Sequence, residues 1–158
     1  MVIGLLADTH IPKRARGLPA KAYQYLDGVQ AIIHAGDVVT GELLEELGRI
    51  APVHGVLGNN DHGLDLPERL ELVFEGVRVA VVHDSGARAG RPARLRRWFP
   101  NAQVVVFGHS HIPVNDQHEG LLLVNPGSPT DRRRQPCHTM GLLHVQDGRA
   151  KADIVALD

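Results

Sequence analysis

Five apolar runs in this chain each stop at a cluster of acids, amides or imidazoles, and that recurrence limits what the chain can fold into. VIGLLA (2–7) ends in Asp8-Thr9-His10, and VQAII (29–33) ends in His34-Ala35-Gly36-Asp37. VHGVL (53–57) ends in Gly58-Asn59-Asn60-Asp61. The run 77–82 ends in His83-Asp84, and QVVVF (103–107) ends in Gly108-His109-Ser110-His111. Short apolar, β-branched runs bounded by turn signals read as strands buried on both faces. Sheets of this kind gather ligand groups at the carboxyl ends of their strands.

The intervening segments agree. Residues 19–26 read as a short helix with Pro19 in its first turn. In GELLEELGRI (41–50), Leu43, Leu44, Leu47 and Ile50 fall on one helical stripe, with Thr40 placed to cap it and Pro52 to stop it. Strand–helix–strand–helix–strand is the pattern of parallel pairing. Further on, 70–74 and 77–82 flank Glu75-Gly76 as a hairpin, and 89–98 reads as a helix ended by Pro100. Strands are expected at 112–116, 120–124, 138–145 and 149–155, with Glu119-Gly120 and Asp147-Gly148 as tight turns. Early helices and late hairpins fit an α/β chain with one mixed sheet, or with two sheets packed face to face between helices. With no linker, repeat or low-complexity tract, residues 1–158 are expected to form a single domain.

Composition removes several classes of function. The formal net charge is −1 and aromatics make up 4% of the chain, so nucleic acid is not an expected partner. No apolar run reaches the roughly 20 residues of a membrane helix. The opening MVIGLLADTH breaks into polar residues too early for a secretion signal, so a cytoplasmic location is expected. A lone cysteine, Cys137, leaves no internal disulfide and no thiolate cluster. Ten histidines are about three times what this length ordinarily carries, and half of them, His10, His34, His83, His109 and His111, fall at the ends of these runs.

Residues i and i+2 of an extended segment face one side, so Asp8 and His10, and likewise His109 and His111, are expected to point inward together. Carboxylate beside imidazole suits a borderline divalent ion: Mn²⁺, Fe²⁺, Co²⁺, Ni²⁺ or Zn²⁺. Each cluster alone has a plainer reading. His34 reads as a packed, hydrogen-bonded histidine, and Gly58-Asn59-Asn60-Asp61 alone is a turn. The five clusters together point to metal.

The series DTH (8–10), GDVV (36–39), GNND (58–61), VVHD (81–84) and GHSH (108–111) resembles the calcineurin-like metallophosphoesterase superfamily. VNPGSPTDRRR (124–134) and the short length resemble its small single-domain phosphodiesterase branch. The resemblance implies a four-layer α/β/β/α sandwich of two mixed sheets flanked by helices. It implies two divalent metal ions about 3.5 Å apart, manganese first among the candidates. Asp8, His10 and His111 would hold one ion, Asn59, His83 and His109 the other, and Asp37 would bridge them. The implied reaction is phosphoester hydrolysis, with phosphodiesters favoured and a metal-bridging hydroxide as nucleophile.

One position departs from the pattern. Many members carry histidine directly after the metal-binding asparagine, whereas this chain has Asn60. An amide cannot supply a proton at neutral pH, so His62 and Asp61 are the nearest replacement acids. For a small phosphoester substrate, the turn formed by Asn125, Gly127 and Ser128 offers amides to an anion, and Arg132 a clamp. Arg91, Arg94 and Arg97 can share a helical face, as a polyanion contact or a solvated surface. Alternatives within the family are a phosphomonoesterase, a nuclease and a metal-site-bearing protein-binding scaffold. A homodimer through exposed sheet edges is a further expectation.

Overall fold

In the computed structural model, which describes residues 1–158, the chain forms ten strands and three helices. The first sheet contains β1 (Val2–Leu6), β2 (Ala31–His34), β3 (Val53–Gly55), β9 (Thr139–Gln146) and β10 (Arg149–Ala156), in the order β10-β9-β1-β2-β3. The second contains β4 (Arg69–Phe74), β5 (Val77–Val82), β6 (Val104–Val106), β7 (Val114–His118) and β8 (Leu121–Asn125), in the order β4-β5-β6-β8-β7. Both sheets are mixed. β1, β2 and β3 run parallel, as do β5, β6 and β8, with antiparallel strands on the flanks.

The period-2 alternation of the strands sorts the core into layers. Ile3, Leu5, Ala31, Ile33, Val79, Val81, Val104, Val106 and Val124 meet between the sheets. The residues between them point outward. Leu6 and Ile32 pack under α1 (Ala20–Leu26) and α2 (Gly41–Gly48) through Leu26, Leu43 and Leu47. Ala80, Val105, Phe107 and Leu123 pack under α3 (Arg91–Trp98) through Leu95. The result is an α/β sandwich with two sheets inside and helices on both outer faces.

The expected elements all form, with boundaries shifted by a residue or two. Pro19 is the residue before α1, and Thr40 occupies the cap position of α2 without making a side-chain capping bond. Its hydroxyl is therefore not what starts that helix. No helix is long and apolar enough to cross a membrane.

Candidate metal centre

All five clusters meet at one edge, where the loops after β1, β2, β3, β5 and β6 converge. The β1 and β2 loops are joined by Asp8 N–H to Gly36 O (2.9 Å) and His10 N–H to Asp37 O (3.1 Å). The two sheets are joined across the edge by His109 N–H donating to Asp8 Oδ2 at 2.9 Å. That bond fixes one carboxylate oxygen and leaves Oδ1 facing the imidazoles.

The pairs Asp8/His10 and His109/His111 do not converge as an extended segment would. Asp8 (φ 54°), His10 (φ 46°), Asp37 (φ 58°), His109 (φ 75°) and His111 (φ 63°) are all left-handed. For residues with a Cβ this conformation is uncommon and costs about 1–3 kcal/mol each. The tight loops aim side chains that strands alone would send elsewhere. Gly36 makes room at the crossing: a Cβ there would sit 2.5 Å from His83 Nδ1. Gly58 does the same against the amide and carboxylate of Asp37.

Two overlapping groups of ligand atoms result: Asp8, His10 and His111, and Asp8, Asp37 and His83. Asp8 Oδ1 lies 3.6 Å from His111 Nε2 and 3.9 Å from both His10 Nε2 and His83 Nε2. Asp37 Oδ2 spans the groups, 3.5 Å from His10 Nε2 and 3.4 Å from His83 Nε2. Asn59 Oδ1 closes the far side, 3.0 Å from His83 Nε2 and 3.3 Å from His109 Nδ1. His109 and His111 thus serve opposite ends of the centre.

The tautomers follow from the neighbours. A carbonyl only accepts, so His83 Nδ1 donates to Ala35 O (2.7 Å) and His111 Nδ1 donates to Asp131 O (2.6 Å). In a neutral ring Nε2 is then a lone pair turned to the carboxylates; in the protonated His83 ring the same atom donates to Asp37 Oδ2 at 3.4 Å. Metal-binding histidines are held this way. Burial lowers the pKa of His10, against the pull of Asp37 and Asp131. It also lowers that of His111, against its bond to Asp131. Both rings are therefore neutral near pH 7. Asp8 Oδ1, His10 Nε2 and His111 Nε2 are buried without any hydrogen-bond partner. Buried ligand atoms facing one another across 3.6–3.9 Å with no hydrogen bond between them fit a cation site.

The carboxylates respond oppositely. Burial pushes Asp8 up to about 7. Burial also works on Asp37, but donors from His83 and Asn60 outweigh it and hold this carboxyl well below the usual range. His83 is raised, since Asp37 and Asp8 overcome the effect of its own burial.

The remaining expected residues divide. Asn60 is at the centre, where its backbone and side-chain N–H groups donate to Asp37 Oδ1 (2.8 Å) and Oδ2 (2.9 Å). Asp61 is buried and accepts from the amides of Asp37 (2.9 Å), Val39 (2.7 Å) and Gly58 (2.9 Å). A carboxylate so engaged ties the β2 and β3 loops together. His62 is exposed on the loop.

The 125–128 turn also differs from expectation, because its polar groups face inward. Asn125 Nδ2 donates to Gly108 O (3.1 Å), and its Oδ1 accepts from Gly127 N–H (2.9 Å). Ser128 Oγ donates to Asp8 O (2.8 Å) and accepts from Asp131 N–H (2.9 Å). The turn braces the Asp8 and His109 loops through these side chains. Arg132 is bound to Gln135 O at 2.7 Å and is exposed. Its neighbour Arg133, left-handed at φ 51°, is the arginine whose charge bears on Asp8, His10 and His111. The run of three arginines gave no means of choosing between them. His34 is the packed histidine expected of it: Nδ1 accepts from Gly36 N–H (3.2 Å), and Nε2 donates to Thr9 Oγ (3.0 Å).

The family model of the calcineurin-like phosphoesterase superfamily domain matches residues 1–148. The chain belongs to the calcineurin-like phosphoesterase superfamily. Among curated members, one named "probable metallophosphoesterase" from Methanothermobacter thermautotrophicus is 35% identical, over 98% of this chain and 92% of that protein. Another of that description, from Methanocaldococcus jannaschii, is 35% identical over 100% of this chain and 82% of its own. Among solved structures, wild-type Vps29 from Entamoeba histolytica in complex with zinc superposes with a TM-score of 0.81, at 22% identity over 100% of both chains. That likeness is one of fold. This calcineurin-like phosphoesterase has residues that could hold metal where its sequence motifs converge.

Proposed function

We propose that this protein hydrolyses phosphoesters with two divalent cations, and that it favours phosphodiesters. The observation that supports this most is the set of buried ligand atoms left without hydrogen-bond partners: Asp8 Oδ1, His10 Nε2 and His111 Nε2. In this reading Asp8, His10 and His111 hold one ion, Asn59, His83 and His109 the other, and Asp37 is shared. Oxygen and imidazole donors without thiolate suit a borderline divalent ion, and the family resemblance makes manganese the first to try. When bound, the ions bring a water molecule's pKa toward neutrality and offset charge on the phosphoryl oxygens.

The chain's own residues supply the rest. Ala35 O and Asp131 O keep His83 and His111 in the binding tautomer. Asp61 and Asn60 hold Asp37 from its backbone and carboxylate sides. Arg133 is placed to attract the anionic ester toward the same groups. Asn60 stands where many members have an acid, and an amide leaves the departing oxygen unprotonated. Esters with good leaving groups are therefore turned over best.

The test is a substrate panel on protein stripped of metal and refilled with Mn²⁺, Co²⁺, Ni²⁺ or Zn²⁺. Bis(4-nitrophenyl) phosphate should be cleaved faster than 4-nitrophenyl phosphate, and alkyl esters least of all. Comparable turnover of alkyl monoesters and aryl diesters contradicts the diester preference. No turnover with any ion leaves the protein-binding scaffold as the better reading.

A further inference from the structure

The basic stretch around α3 has two fates. Arg94 donates to the carbonyls of Ser85 (2.9 Å) and Ala89 (3.3 Å), and Arg96 to that of Ala102 (2.9 Å), so both are engaged in holding loops. Arg91 is different. Its guanidinium lies over the Phe107 ring, 4.9 Å from the centroid, and its Nε is buried with no hydrogen-bond partner. A buried donor without an acceptor is destabilising, the more so when charged.

Arg91 lines a cavity of about 470 Å³, together with Arg88, Ser110, Ile112, Asn115 and Asp116. That volume lies in the range of small-molecule sites, roughly 300–1,000 Å³. Ser110 separates His109 from His111, so cavity and metal centre share one loop. Asn115 is already bound to Ala152 O (2.8 Å), and Arg88 is exposed. The charged and titratable residues of the lining are thus two arginines, one carboxylate, Asp116, and His118. Crowding shows on Arg91: burial, then the charges of Arg94 and Arg88, lower its pKa, with Asp116 and Asp84 opposing.

We propose that this cavity is an accessory anion subsite, in which Arg91 and Arg88 bind an oxyanion, carboxylate or phosphate, on the leaving-group arm of the substrate. Its role in turnover rests on the phosphoesterase reading, whereas anion binding itself does not. Paired guanidinium–oxyanion bonds are the strong, geometrically specific form of such contacts, and the buried Nε, held over Phe107, fixes the plane in which the Arg91 guanidinium is presented. Selectivity for one class of diester would then come from outside the metal centre.

Arg91 can be watched directly. In the ¹⁵N-arginine-labelled full chain, with zinc as a diamagnetic ion, benzoate and inorganic phosphate are titrated separately. The Arg91 Nε–H resonance should shift and saturate with at least one of them, and the tighter of the two identifies the group preferred. Arg88→Gln, at an exposed position, should weaken that binding about tenfold, the equivalent of 1.4 kcal/mol. No shift with either anion overturns the site, whether or not the protein cleaves any ester. In kinetics with Mn²⁺, Arg88→Gln should raise KM for an aryl diester bearing a carboxylate about tenfold and leave bis(4-nitrophenyl) phosphate within about twofold. Equal effects on both substrates overturn the subsite. Saturable anion binding without turnover of either ester overturns the phosphoesterase reading and leaves the anion site standing.

Discussion

Asp61 is the residue on which sequence and structure part most sharply, and its replacement tests the structural role. Its carboxylate accepts from three backbone amides, those of Asp37, Val39 and Gly58. Hydrogen bonds to a charged group are worth about 1.5–3 kcal/mol each, part of which water restores where the amides are half-exposed. Asp61→Ala should therefore lower stability by about 3–5 kcal/mol. For a chain of this length that lowers Tm by about 10 °C. Asp61→Asn is the finer probe. Its oxygen can still serve Asp37 and Gly58, but its NH₂ group would meet Val39 N–H, donor against donor. It should lose about 2 kcal/mol and fall between wild type and alanine. Denaturant unfolding with linear extrapolation measures both. An Asp61→Ala protein within about 1 kcal/mol of wild type refutes the positioning role. Unchanged stability with selective loss of activity on poor leaving groups would make Asp61 a proton donor after all.

Three further outcomes follow from particular contacts. His34 is fully buried with its pKa lowered to about 4, so the unfolded chain takes up a proton first as pH falls from 6.5. Stability should drop by about 2 kcal/mol between pH 7.5 and 5, and His34→Gln should flatten that slope in denaturation series. Gly127→Ala would place a methyl group on Thr139 Oγ and 3.0 Å from Pro113 Cγ, at a φ of 75°, and calorimetry should show a loss of about 2–4 kcal/mol. Asn60→His should raise kcat on alkyl esters relative to aryl esters by about tenfold, and an unchanged ratio would show that leaving-group protonation is not limiting.

The layers of the fold were legible because apolar alternation is a local signal. Ile3 and Leu5 face one layer and Leu6 the other, as period 2 requires. The clustering of ligand types was legible for the same reason, since each motif is contiguous. What escaped was carried by long-range contacts and by backbone conformation. Ser128 looked like a substrate contact, yet its hydroxyl is bound to Asp8 O, 120 residues away. Nothing local marks Asp8, His10, His109 and His111 as left-handed, so an extended geometry was the natural expectation. Arg91 looked like part of a solvated face until Phe107, from the end of a different strand, came to lie beneath it.

The central claim is that seven side chains, Asp8, His10, Asp37, Asn59, His83, His109 and His111, hold a pair of divalent cations. Equilibrium dialysis against Mn²⁺, with metal counted per chain, tests it most directly. Wild type should retain two ions, and His111→Ala with His83→Ala should retain none while keeping the folded far-UV spectrum. A wild-type chain that retains no manganese, cobalt, nickel or zinc, or a double variant that still holds two, would contradict the account.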